Sequence, residues 1–291
     1  MWLKVFLAVL LLVAVAAAAL SCGASRWRAA TAELHARMRA ARAQPAGPAA
    51  YDPSEIEDLP APVQRYFRAV LEPGAPLVAS ASIEHDGTFN MSEDGERWRP
   101  FTSRQHVVVR RPGFVWDARI RIAPGLPVFV HDAYVAGQGI LEAKLLGLVT
   151  VMRQPQTAEL AHGELMRFLA EAAWYPTALL PGQGVRWEAM GDERAAAELS
   201  DGGTTVRLVF EFDARGLISS VRSEGRFRTV GDRAEATPWQ GRFRDYERRG
   251  GMLVPLGGEV AWLLPEGPLP YWRGRIRSIE YEFAPGAVAD D

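Results

Sequence analysis

Between Lys4 and Arg26 the chain carries no charge for 21 residues, Val5 to Ser25 (VFLAVLLLVAVAAAALSCGAS). A helix of that length extends ~30 Å at ~1.5 Å per residue, matching the hydrocarbon core of a bilayer. The stretch is therefore either held in a membrane or directs the chain to one, and the fold proper is built from the residues C-terminal to it. Three readings fit. Lys4, the apolar run Val5 to Val15 and the small-residue tract Ala16 to Ala19 have the layout of a cleaved signal peptide. Cys22, the only cysteine, is where a lipoprotein signal would be acylated, but Ala19-Leu20-Ser21-Cys22 places its leucine two residues before the cysteine rather than the usual three. An uncleaved anchor is favoured by the length of the span and by Arg26, Trp27 and Arg28, which suit the headgroup region.

The side of the membrane stays open. Arg26, Arg28, Arg37, Arg39 and Arg42 follow the span against Lys4 before it, which favours a cytoplasmic body; a signal reading favours the opposite side. A lone cysteine forms no intramolecular disulfide and so leaves no record of the compartment. The organisation expected is a membrane anchor or signal segment at 1–28, a helical stalk and linker at 29–50, a single β-rich domain at 51–285 and a C-terminal tail at 286–291. Residues 29–42 are rich in alanine and arginine and should be helical, as a polar stalk or lying against headgroups. A Pro/Gly/Ala stretch, Gln44 to Ala50, marks the boundary.

Within the domain, Val63, Tyr66, Phe67, Val70 and Leu71 predict a short amphipathic helix with Pro62 at its start and Pro73-Gly74 at its end. From residue 78 the period changes to two. Phe114, Trp116, Ala118, Ile120 and Ile122 alternate with Val115, Asp117, Arg119 and Arg121, and the alternation recurs around residues 206–212, 260–264 and 279–283. Turns are predicted at Asp86-Gly87, Asp94-Gly95, Asp201-Gly202-Gly203 and Asp213 to Gly216. Roughly ten strands are expected. The fold class is α+β, an antiparallel β-meander curled into a half-barrel with an inserted amphipathic helix. That helix is placed at Gly163 to Trp174, with Leu165, Phe168, Leu169 and Ala172 on its inner face and Glu164, Arg167 and Glu171 on the other, followed by a proline-rich aromatic turn to Pro181.

Leu59 to Phe67 (LPAPVQRYF), Pro112 to Trp116 (PGFVW), Lys144 to Gly147 (KLLG) and Trp174 to Pro181 (WYPTALLP) together resemble a bacterial family of unknown function, often membrane-anchored. The likeness covers about residues 51 to 283 and implies no activity, cofactor or catalytic residue; it also suggests a body outside the cytoplasm. More distantly, a meander with an inserted helix resembles the half-barrel of bacterial lipoprotein carriers, which hold acyl chains in an apolar cavity. Fold alone does not assign function.

The residues themselves give little chemistry. His35, His85, His106, His131 and His162 show no metal-ligand spacing, and no nucleophile elbow or phosphate-binding loop is present. Gly137-Gln138-Gly139 lacks the third glycine of a dinucleotide fingerprint and reads as a turn. A net charge of -2 gives no field for nucleic acid. Lys144 in an apolar run must be paired, with Glu142 as its same-face neighbour, or point into a ligand cavity. His131, Asp132 and Tyr134 offer an acid and a phenol without a nucleophile. The aromatic residues are the stronger signal, since in a half-barrel core rings also line a pocket.

The expected function is non-catalytic binding of a lipid or other apolar ligand at the membrane, with candidate ligand-binding residues Trp116, Trp174, Tyr175, Trp262, Asp132, Tyr134 and Lys144. No metal, cofactor or catalytic residue is assigned. An envelope interaction or scaffold module is the alternative, and an enzyme using Asp132, Tyr134 and Lys144 the third reading. Partners are the membrane, through residues 5–25, and an apolar small molecule, with the oligomeric state open.

Overall fold

The computed structural model describes residues 1–42, 49–92, 95–231 and 233–286. Most of the expected 44–50 linker, Asp94 of the Asp94-Gly95 turn and the tail beyond Gly286 lie outside the described residues.

Period-two alternation gives thirteen strands among the described residues. In chain order they are β1 (Val78–Asn90), β2 (Trp98–Val108), β3 (Gly113–Ala123), β4 (Leu126–Val135), β5 (Gln138–Leu145) and β6 (Val149–Arg153). Then come β7 (Arg186–Ala189), β8 (Arg194–Asp201), β9 (Thr204–Phe212), β10 (Ile218–Val230), β11 (Arg233–Arg249), β12 (Met252–Leu264) and β13 (Gly267–Phe283). All pair antiparallel in one sheet, in the order β6-β5-β4-β3-β2-β1-β13-β12-β11-β10-β9-β8-β7. The chain thus starts at the middle of the sheet, walks outward to the β6 edge, crosses to the β7 edge, and walks back until β13 pairs with β1. Twist curls this sheet into a half-barrel.

The crossing element is the inserted helix, α3 (Ala158–Glu171), capped by the Thr157 hydroxyl accepting from the Leu160 amide at 3.2 Å. It lies in the concavity and touches β3, β4, β5, β9 and β10. Three 3-10 turns, Ala172–Trp174, Pro176–Leu179 and Pro181–Gln183, continue it as the expected aromatic turn. Helix α2 (Ala61–Val70) buries Val63, Tyr66, Phe67 and Val70, the stripe its sequence predicts.

Helix α1 (Trp2–Ala41) is continuous from the uncharged stretch into the domain. Through Cys22 it is exposed on all sides, and it is long and apolar enough to cross a membrane. From Gly23 its second half, the expected stalk included, lies on the convex face of the sheet, where Leu34 and Met38 pack on Val108, Val115, Ala133 and Val135. Trp27 turns to the sheet rather than to headgroups. It is 1% exposed, donates from Nε1 to Asp117 at 2.8 Å, and stacks on the His131 ring at 3.9 Å.

Two local expectations are corrected. Asp86-Gly87 makes no turn but lies inside β1. Gly87 is needed there because a Cβ would overlap the Arg273 carbonyl of β13, while Asp86 pairs with Arg277. The polar side of the inserted helix does not face water: Glu164 is 3% exposed, and the Arg167 and Glu171 side chains only 14% and 13%. The half-barrel encloses α3 from both sides, so these charges are satisfied by one another and by the sheet.

Candidate functional site

Strand pleat decides which residues face the concavity. The cross-strand row Ile83, Gln105, Trp116, Asp132 and Leu141 runs over β1 to β5 on that face. From the other half, Trp239, Phe243, Val260, Tyr271 and Trp272 converge on the same space, and Ala170, Glu171 and Trp174 roof it. They enclose a cavity of about 80 Å³.

Its wall is aromatic. Trp174 lies 6.3 Å from both Trp272 and Phe243, and Trp272 lies 5.9 Å from Phe101, which in turn packs edge-on to Trp116 at 5.7 Å. Two of these rings carry buried donors without an acceptor among the described residues, Trp116 Nε1 and Trp174 Nε1. Each such group costs about 1–3 kcal/mol when left unpaired.

One end of the cavity is ionic. Arg167 donates to Asp132 Oδ2 at 2.7 Å and to Glu171 Oε1 at 2.6 Å, and its guanidinium lies 4.8 Å from the Phe114 ring centre and 5.2 Å from that of Trp116. Gln105 Nε2 also donates to Glu171, at 2.6 Å. Opposite, Arg226 reaches Glu164 at 3.5 Å and the Tyr271 hydroxyl at 3.2 Å, and that hydroxyl accepts from Trp239 Nε1 at 2.9 Å. Burial opposes the charge on Arg167, but Glu171, Asp132 and Glu164 outweigh it and hold its pKa above the usual value. Burial, and then the Asp132 charge, push the Glu164 carboxyl well above the usual carboxylate range. Asp132 Oδ1 and Glu164 Oε2 have no hydrogen-bond partner among the described residues. Beneath Trp174 at 5.0 Å, the buried His85 ring is held down to about 3 by desolvation and then by the Arg167 charge.

Of the residues expected at a site, Trp116, Trp174 and Asp132 line the cavity. Trp262 stands behind its wall, stacked on Tyr271 at 5.6 Å. Tyr175 is fully buried and donates to the Phe168 carbonyl at 2.9 Å, fixing the turn that carries Trp174. Tyr134 is not brought to Asp132: its hydroxyl donates to Asp201 at 2.9 Å, in a group closed by Arg111 at 2.7 Å. Lys144 lies on the opposite, convex face, 3.1 Å from Glu142 and 5.8 Å from the Trp27 ring centre. His131 is on that face too, accepting or donating with Thr31 Oγ1 at 2.7 Å. Arg167, Glu171 and Arg226 are the site residues that sequence reasoning missed. Their only signal was that 164, 167 and 171 fall on one helical stripe facing a domain with many buried rings. Among the described residues no cluster of three His, Cys, Asp or Glu side chains is arranged to hold a metal.

Residues 57–281 match the profile of a protein family described as a family of unknown function. No curated protein matches the chain. Among solved structures the chain is similar to a domain from Vibrio parahaemolyticus named for outer membrane lipoprotein sorting, at 11% identity and TM-score 0.42, over 79% of this chain and 92% of that one. It is also similar to a DUF1329 family protein from Desulfovibrio piger, at 12% identity and TM-score 0.41, over 80% and 94%. A third similarity is to a LolA superfamily protein from Nitrosomonas europaea, at 12% identity and TM-score 0.31, over 71% and 87%.

Proposed function

The chain belongs to the DUF6920 family of unknown function, and on that footing we propose that it binds a lipid or other apolar ligand, without chemical change, beside the membrane that anchors it through α1. The observation that carries the reading is the lining of the concave cavity: rings of Trp116, Trp174, Trp239 and Trp272, with two indole donors that have no acceptor among the described residues. Rings supply apolar surface at little entropic cost, and the indole N–H groups suit an acceptor oxygen such as an ester carbonyl. The neighbouring charges are paired, so they hold a wall in place rather than stand ready as an acid, base or nucleophile.

At about 80 Å³ the cavity is small beside ordinary ligand pockets of roughly 300–1,000 Å³. The described form is therefore the closed one, and a longer chain enters by displacing Trp174 and the 3-10 turns that carry it. Native mass spectrometry of the detergent-extracted full chain tests this. A co-purifying lipid mass is expected, and it should be lost in Ala170→Trp, where the added ring fills the cavity. Absence of any adduct from the parent protein, or an adduct unchanged in Ala170→Trp, overturns the reading. The same spectra report whether residues 1–25 are retained and whether Cys22 carries lipid.

A further inference from the structure

We propose that the β5–β6 hairpin is a second membrane contact, inserting its apolar tip into the leaflet from which α1 emerges. The inference rests on the reading of α1 as a membrane span. The hairpin and the helix meet at backbone distance: a Cβ on Gly23 would lie 2.7 Å from Leu148 Cγ and 2.8 Å from the Leu146 carbonyl, and one on Gly147 would lie 2.9 Å from the Gly23 carbonyl. Gly23 lies inside the uncharged run that ends at Ser25, so at ~1.5 Å per residue Leu148 sits ~3 Å on the lipid side of that end. The depth of the tip is thereby tied to that of the helix.

Its composition matches that depth. Leu148, Val149, Val151 and Met152 are 41%, 60%, 54% and 39% exposed, and Leu126, the first residue of β4 beside the adjoining β3–β4 turn, is 39% exposed. The two turns are tied by the Leu146 amide donating to the Pro127 carbonyl at 2.9 Å. Outside α1, only Met91, Met190 and Phe227 share such exposure among the described large apolar residues. β6 is also a sheet edge, exposed along its whole length. An apolar open edge in water invites pairing with another chain; one that lies in the headgroup and upper acyl region is covered. Basic residues stand close in the chain to these segments, Arg26 and Arg28 just after the uncharged run of α1, Arg121 near the end of β3 and Arg153 at the end of β6, the last paired with Glu142; an excess of basic residues there suits an anionic leaflet. Partner and orientation are thus both specified: a lipid surface, approached by the Leu126 and Leu148 end of β3 to β6.

The test places single cysteines in the full chain carrying Cys22→Ser, labels each with an environment-sensitive fluorophore, and reconstitutes the protein in phosphatidylcholine vesicles containing one quarter phosphatidylglycerol. Quenching by lipids spin-labelled near the headgroup is then read. Val149→Cys and Val151→Cys are expected to show blue-shifted emission and to lose most of their intensity, while Ala40→Cys, at the far end of α1, keeps its own. Val9→Cys reports the span itself through lipids labelled deep in the acyl chain. If position 9 is quenched and positions 149 and 151 behave like position 40, the hairpin contact is overturned while the anchor stands. If position 9 is not quenched, the anchor reading falls and the hairpin proposal falls with it.

Discussion

Arg167 joins the β4 wall of the cavity to its helical roof, since Asp132 on the sheet and Glu171 on its own helix both close on it. Removing it leaves two largely buried carboxylates without their cation. Arg167→Met is expected to destabilise the domain by about 3–5 kcal/mol, read as a lower denaturation midpoint with unchanged cooperativity for the full chain in detergent. His85 gives the domain a pH dependence of definite sign. Its folded pKa is about 3, whereas the unfolded ring takes up a proton near ~6.5. Between those values the unfolded chain binds more protons, so stability is complete above ~6.5 and is lost toward acid at about 1.4 kcal/mol per pH unit. His131, held down to about 4 by burial against the opposing pull of Asp117, adds to the same trend over a narrower window. In His85→Gln the slope of stability against pH from about 6 to 4 should fall by one proton's worth, about 1.4 kcal/mol per unit. A slope equal to that of the parent would show that His85 is not the group responsible. At this scale the sequence located the rings, because Trp116 and Trp174 follow the strand and helix periods. It hid the charges, because Glu164, Arg167 and Glu171 have the pattern of a solvated face and become interior only when a sheet closes over them.

Helix α1 depends on close packing at its point of entry. Gly23→Leu would drive a side chain into Leu148 and the Leu146 carbonyl, and overpacking of that kind costs about 1–3 kcal/mol. The expected result is faster amide hydrogen exchange over residues 27–38, with exchange in β9 to β12 unchanged. The docked half of α1 was readable in part: Trp27, Thr31, Leu34 and Met38 form a narrow stripe at helical spacing, but one diluted by arginines on every other side. Strand content was underestimated for similar reasons. β6 is exposed on both faces and so does not alternate, β7 has four residues, and three consecutive alanines obscure the pleat of β8. Asp86-Gly87 misled because the dipeptide that favours a hairpin turn also permits one strand to cross close over another.

The whole sheet consists of two six- or seven-stranded wings, linked covalently through α3 and joined by hydrogen bonds where β1 pairs with β13 over most of their length. A protease site inserted between Pro155 and Gln156, in the exposed segment before α3, should therefore give a nicked protein whose fragments elute together in detergent and separate only in denaturant. Fragments that part under native conditions would show that the seam and the helix do not suffice. The meander and its curl were legible from alternation and turn spacing, whereas the central seam was not, because no local pattern says that β1 and β13 are neighbours. That seam bears on how the molecule comes into being. The strand that completes the middle of the sheet is the last one translated, so the first wing leaves the ribosome with β1 still an open edge. It must wait, from the end of β6 at Arg153, until some 130 further residues have been made and β13, ending at Phe283, closes the gap.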